Sequence, residues 1–135
     1  MILQKHGAWG NRPARFRDLV PSEKYAAERG RYVLYVNFCC PWSHRTIIAL
    51  GLKELGDVVQ LVEADSQDVT HGWWFSGRRG PERDPVYGVK YMKELYLKAD
   101  PDYDGRITLP VLWDKKNGNY LLTSPPRTPP SRKHL

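Results

Sequence analysis

Apolar residues along this chain gather into runs whose period changes from one run to the next. Arg31-Tyr-Val-Leu-Tyr-Val-Asn-Phe38 is rich in β-branched and aromatic residues and predicts a buried strand. The period then lengthens: Ile47, Ile48, Gly51, Leu52 and Leu55 fall at helical spacing, with Pro41 suited to the first helical position and Gly56 to the C-terminal stop. That placement puts Cys40 at the N-cap. Val58-Val-Gln-Leu-Val-Glu-Ala64 reads as a second strand, which the intervening helix makes parallel to the first. Residues 66–88 have no sustained period and form a long connection holding His71, Trp73, Trp74 and Phe75. Connections of that length are usually functional or disordered, and three consecutive aromatics argue against disorder. Val89, Met92, Tyr96 and Ala99 mark a helix over residues 89–99. Leu109–Asp114 and Tyr120–Leu122 read as strands around Asn117-Gly118, the strongest short hairpin signal.

The ends read differently. Residues 1–30 are mixed and polar, with Gly10, Pro13 and Pro21, and predict an irregular N-terminal arm. Residues 123–135 hold Ser-Pro-Pro-Arg-Thr-Pro-Pro-Ser-Arg-Lys-His-Leu, which suits neither strand nor helix and predicts an extended, disordered, basic tail. Between them, residues 31–122 order as strand, helix, strand, long insertion with a helix, strand opening on proline, hairpin strand. This is an α/β, thioredoxin-like plan without its last helix.

Composition narrows the class. With 135 residues, 41% hydrophobic and 27% charged, the chain has room for one folded domain with a modest core. No run approaches the ~18 apolar residues of a membrane span, and the N-terminus lacks the apolar stretch of a signal peptide. A soluble, cytoplasmic protein with no membrane partner is expected. The net charge of +6 is local: residues 1–114 carry 16 Lys/Arg against 15 Asp/Glu, and the last 21 residues carry five Lys/Arg and no acid. The pattern predicts a basic tail rather than a basic face, and no specific nucleic-acid partner; the tail alone would adhere weakly to phosphate. Cys39 and Cys40 are neighbours, which excludes a spaced disulfide framework. A metal site would have to recruit His44 and His71, yet two adjacent thiols rarely close one tetrahedron, so no metal is expected.

The candidate chemistry centres on Cys40. A cysteine at the first turn of a helix meets unpaired backbone N–H groups and the positive end of the helix dipole, which favour the thiolate, the nucleophilic form. His44 and Arg45 add positive potential. Ser43 stands where a dithiol oxidoreductase carries its resolving cysteine, so the site is monothiol and must borrow a second thiol, for which glutathione is the obvious donor. The plainer alternative is a structural cysteine near a helix start. Cys39, ending the strand, would point the other way along the pleat as a small core residue; a Cys39–Cys40 disulfide would be strained. Pro110 opens a strand directly after Leu109. In thioredoxin folds a proline in this place is cis and exposes the backbone of the residue before it, here Leu109.

Several segments together resemble the xi class of glutathione transferases, the glutathionyl-hydroquinone reductases, which share Cys-Pro-aromatic with the omega class. They are Cys40-Pro-Trp-Ser-His-Arg45, Gly72-Trp73, Tyr87–Pro101 and Gly105-Arg-Ile-Thr-Leu-Pro-Val-Leu-Trp-Asp-Lys-Lys116, supported by Phe16-Arg17 and Gly30–Tyr35. The likeness covers residues 14–122. It implies the N-terminal, thioredoxin-like glutathione-binding domain of that family, with glutathione as co-substrate and glutathionyl-hydroquinones as partners. Cys40 would be the catalytic nucleophile, attacking a glutathionyl sulfur to form a mixed disulfide that a second glutathione resolves. Trp73 would line the glutathione site, Arg106 would pair with a glutathione carboxylate, and Leu109, held by Pro110, would supply the backbone clamp. Trp73, Trp74 and Phe75 would offer one wall to a substrate. Taken without the resemblance, Trp73 reads equally well as a core aromatic and Arg106 as a solvated loop charge.

The sequence also departs from the family. Ser124-Pro125 stand where an acidic residue and a serine would open a helix holding the γ-glutamyl end of glutathione. That helix, and the all-helical C-terminal domain with its hydroquinone pocket and dimer interface, do not follow. The switch to a Pro-rich tail reads as a truncated or mis-spliced product. Three functions are therefore expected to compete: a glutathione-dependent reductase or transferase, a catalytically weak or inactive fragment acting as a binding module, and a glutaredoxin-like deglutathionylase.

Overall fold

In a computed structural model, the residues described are 20–123. Residues 1–19 of the expected arm, and Ser124-Pro125 with the rest of the expected tail, lie outside the described residues. The elements are β1 (Tyr32–Val36), α1 (Pro41–Leu52), β2 (Gln60–Glu63), β3 (Ser66–Asp68), β4 (Gly72–Trp74), α2 (Met92–Ala99), β5 (Val111–Asp114) and β6 (Asn119–Thr123). The main sheet has the order β2-β1-β5-β6. β1 runs parallel to β2 (Val33 beside Gln60) and antiparallel to β5 (Tyr35 beside Val111), and β5 and β6 form a hairpin with an irregularity between Leu112 and Trp113. This is the thioredoxin-like α/β architecture the order of elements predicts.

β1 is one of the two inner strands, and all five of its residues are buried. Its two faces feed two clusters. Val33 and Tyr35 pack with Val62, Phe75, Met92, Leu95, Tyr96, Leu109, Val111, Trp113 and Tyr120 beneath α2. Tyr32 packs on the other side with Tyr25 and Leu121. Tyr25, within the expected arm, is thus fully buried against the sheet. Across the sheet edge, buried Arg31 grips Asp114 with two hydrogen bonds, Nε to Oδ1 at 2.9 Å and Nη2 to Oδ2 at 2.6 Å.

Several boundaries differ from the sequence expectation. The first strand ends at Val36, not Phe38, because the Asn37 side chain turns the chain: its Oδ1 accepts from the Cys39 N–H at 2.9 Å and its Nδ2 donates to the Ala64 carbonyl at 3.0 Å. α1 stops at Leu52, four residues before Gly56. Its end is closed by the paired bonds Leu55 N–H to Leu50 C=O (3.0 Å) and Glu54 N–H to Gly51 C=O (3.0 Å), with Glu54 in the left-handed region at φ 53. That is a Schellman closure built on glutamate instead of glycine. The second helix starts at Met92, where the Glu94 carboxylate reaches back to accept from the Tyr91 N–H at 2.9 Å. The long connection contains a small antiparallel ribbon, β3 with β4, in which Gln67 pairs with Trp73. The expected apolar stripe of α1 is largely uncovered: Ile48 is 48% and Leu52 80% exposed.

Candidate active site

The antiparallel pairing of β1 with β5 sets the end of one beside the start of the other, and the candidate site lies at that junction. Asn37 organises it. Besides its bonds to Cys39 and Ala64, its backbone N–H donates to Ser43 Oγ at 3.1 Å and its carbonyl accepts from the Cys40 N–H at 3.1 Å. Cys40 is the N-cap of α1, extended at φ -88 and ψ 119, with Pro41 next, and its carbonyl accepts from the His44 N–H at 3.0 Å. Ser43 in the resolving position is fully buried and engaged by Asn37, so it serves the turn. The Cys40 thiol, partly exposed, faces the carbonyl oxygen of Leu109 at 3.9 Å, and the Leu109–Pro110 bond is cis. Cys40, Leu109 and Pro110 are therefore brought together.

Trp73 lies on β4 and Arg106 on the turn that leads into Thr108 and Leu109. Gly72 lies against Ile107, so closely that a methyl group on Gly72 would stand 3.6 Å from the Ile107 Cβ. This approach sets β4 beside the segment leading into Leu109. Trp73 is partly buried against the main core, a position that serves both the core and the site-lining readings, and Arg106 is exposed. The turn carrying Arg106 is fixed by Tyr103, whose hydroxyl donates to the Arg106 carbonyl at 2.8 Å. Its ring end lies over Gly105, where a Cβ would come within 2.5 Å of that hydroxyl, so a larger residue there would displace the Tyr103 ring. Phe75 contradicts its expected place in a substrate wall: it is fully buried and meets Tyr35 edge-on at 6.3 Å. The period of β4 sends Phe75 inward under β1.

Cys39 is also corrected. It is exposed rather than in the core, because the Asn37 turn has already ended the pleat, and Arg79 Nη1 donates to its Sγ at 3.6 Å. Arg45 lies over the Trp42 ring at 5.2 Å, on the outer surface of α1.

Sequence reasoning missed the residue that braces the segment before Leu109. Buried Tyr96 on α2 donates its hydroxyl to the Thr108 carbonyl at 2.9 Å and accepts from the Thr108 N–H at 3.2 Å. Burial pushes this phenol up to about 12, so it remains a donor across the neutral range. Its inward helical position was readable; its partner twelve residues on was not. Removing the hydroxyl leaves both Thr108 groups short of a partner, at roughly 1–3 kcal/mol. Tyr96→Phe is expected to lower the urea midpoint by a corresponding amount while leaving the iodoacetamide rate at Cys40 nearly unchanged.

The loop after β4 hangs on two acids. Asp84 accepts from the Tyr35 hydroxyl at 2.8 Å and the Tyr87 N–H at 2.6 Å. Asp65 accepts from the Ser76 N–H (2.7 Å), the Ser76 hydroxyl (2.8 Å) and the Arg79 N–H (2.9 Å). Burial pushes the Asp65 carboxyl up, but these donors outweigh it and hold it well below the usual carboxylate range. Asp114 is likewise raised by burial and, on balance, lowered by Arg31 and the Lys116 N–H. Groups whose folded values lie below their unfolded ones contribute stability above the unfolded value of about 4 and lose it as pH falls through the folded values. The thermal midpoint is expected to stay level from neutral pH down to about 4 and to drop below it. Asp65→Asn should lower the neutral plateau and flatten that drop.

Among the described residues, no group of three or more His, Cys, Asp or Glu side chains gathers as a metal site, and no helix is long and apolar enough to cross a membrane.

Residues 39–124 match the family described as glutathione S-transferase, N-terminal domain. The chain is 40% identical over 114 residues to glutathione S-transferase omega-like 2 of Schizosaccharomyces pombe, covering 83% of this chain and 36% of that protein. It is 44% identical over 94 residues to the glutathionyl-hydroquinone reductase YqjG of Escherichia coli, covering 69% and 29%. The glutathione-bound structure of YqjG superposes with a TM-score of 0.74 at 37% identity, over 81% of this chain and 39% of that one. The xi glutathione transferase of Phanerochaete chrysosporium superposes with a TM-score of 0.76 at 39% identity, over 83% and 39%. The chain thus spans about a third of the length of the curated relatives it matches, 36% and 29%.

Proposed function

The chain belongs to the glutathione S-transferase family through its N-terminal domain, and from that premise we propose that Cys40 is the nucleophile of a glutathione-dependent reductase acting on glutathionyl-hydroquinones. The observation that carries this reading is the Cys40 thiol at the N-cap of α1, facing the Leu109 carbonyl at 3.9 Å. Its thiolate attacks the glutathionyl sulfur. The sulfur–carbon bond breaks with its electron pair on the ring carbon, which takes a proton, and the Cys40–glutathione disulfide forms. A second glutathione thiolate attacks that disulfide, releasing glutathione disulfide and restoring Cys40.

Binding is assigned to Leu109, Arg106 and Trp73. Leu109, held by Pro110, pairs through its backbone with the cysteinyl part of glutathione, Arg106 meets a carboxylate, and Trp73 covers one side. Calorimetry tests this assignment. Arg106→Ala is expected to raise the glutathione Kd on the order of tenfold, as loss of a charged hydrogen bond does, and Trp73→Ala several-fold. Unchanged affinities in both would sink the assignment.

A second reading, exchange on simple glutathione mixed disulfides, is favoured by the burial of Phe75, which leaves Trp73 and Trp74 alone of that aromatic run to orient a ring. Similar steady-state rates with both substrates on the 135-residue chain would support it; a strong preference for the hydroquinone would reject it.

A further inference from the structure

Arg106, Ile107 and Thr108, the three residues that lead into Leu109, are each held by a different part of the fold. The Arg106 carbonyl accepts from the Tyr103 hydroxyl at 2.8 Å. Ile107 lies against Gly72 of β4, where a Cβ would stand 3.6 Å from its own. The Tyr96 hydroxyl donates to the Thr108 carbonyl at 2.9 Å and accepts from the Thr108 N–H at 3.2 Å. The two phenols pack on each other, with ring centroids 4.9 Å apart and planes at 44°. Tyr96 is fully buried on α2 and gives the pair a fixed base, while half-buried Tyr103 reaches the exposed end of the segment. The turn that carries Tyr103 grows from the end of α2: the Asp100 N–H donates to the Tyr96 carbonyl, and the Tyr103 N–H to the Asp100 carbonyl, both at 3.0 Å. Its hydroxyl then closes Tyr103-Asp-Gly-Arg106 across Gly105, the residue whose missing Cβ leaves room for the ring end.

We propose that Tyr103 is a positioning residue for glutathione binding, acting through the Arg106 carbonyl to fix the guanidinium at a set reach from the Leu109 backbone. The inference rests on the assignment of Arg106 and Leu109 to glutathione. Tyr103 itself does not touch the ligand. The reach of an exposed arginine starts from its backbone, and a fork that meets a carboxylate with two parallel bonds tolerates little displacement. With the carbonyl anchored, one small ligand finds fork and backbone clamp already spaced for it. With the hydroxyl removed, the turn must be ordered as the ligand binds, and that ordering is taken from the affinity.

The test is a double-mutant cycle on the full chain, with the glutathione Kd read by calorimetry. Tyr103→Phe keeps the ring against Tyr96 and removes only the bond to Arg106; it is expected to raise Kd about fivefold. On a chain already carrying Arg106→Ala, the same change should alter Kd less than about twofold, because the group it positions is gone. Gly105→Ala leaves Tyr103 intact but pushes its ring aside, and should reproduce both results, standing in should Tyr103→Phe not fold. A merely structural role for Tyr103 would weaken binding alike with and without the Arg106 side chain, and that outcome overturns the inference. So does a Kd that neither Tyr103→Phe nor Gly105→Ala moves while Arg106→Ala raises it, which leaves the binding assignment standing. A Kd indifferent to Arg106→Ala overturns the assignment itself and the inference with it.

Discussion

Cys40→Ser is expected to reduce turnover of a glutathionyl-hydroquinone by a factor on the order of 10³ or more, the scale on which loss of a catalytic nucleophile acts. A serine hydroxyl does not ionise near neutrality, and no neighbouring group takes its place. Ser43 is buried and occupied by the Asn37 N–H, and Cys39 faces Arg79 rather than Leu109. Cys39→Ser, by contrast, should retain most of the turnover. Steady-state release of hydroquinone measures both, and a reversal of the two phenotypes would move the nucleophile to Cys39.

The second large effect is on stability. Trp113 is fully buried on β5, donates from Nε1 to the Tyr87 hydroxyl at 2.9 Å, and meets the rings of Tyr120 at 4.7 Å and Tyr87 at 5.6 Å edge-on. Trp113→Ala removes the largest side chain at the centre of the main cluster, leaves a cavity and deprives Tyr87 of its donor. The expected cost is about 3–5 kcal/mol, against a total stability of roughly 5–15 kcal/mol for an ordinary domain. In urea the midpoint should fall steeply with an unchanged slope. Because β5 begins at the Leu109–Pro110 clamp, thiol exchange should fall with the folded fraction. A shift corresponding to less than about 1 kcal/mol would mean that this cluster does not hold the sheet together.

Long, strongly patterned segments were legible in the sequence. β1, the Cys40-Pro41 helix start, and the Asn117-Gly118 hairpin each carry their signal within a few consecutive residues. What was hidden depends on partners distant in sequence or on short, polar elements. Ser66–Asp68 shows no strand pattern because only its pairing with Gly72–Trp74 makes it one. The stop of α1 was misplaced because glycine was expected where Glu54 takes the left-handed conformation. Cys39 was assigned to the core by extending the pleat three residues beyond Val36; the hydrogen bonds of Asn37 end it first. At the candidate site, Cys40 and Pro110 were readable from local context. The Tyr96–Thr108 brace and the Arg79–Cys39 contact span 12 and 40 residues and needed three dimensions.

The central claim, that Cys40 takes the glutathionyl group, is tested most directly on the chain carrying Cys39→Ser, where Cys40 is the remaining thiol. Treated with a glutathionyl-hydroquinone without free glutathione, it should gain one glutathione on the peptide containing Cys40 and release one equivalent of hydroquinone. No adduct and no release, from a chain shown by circular dichroism to be folded, would contradict the claim.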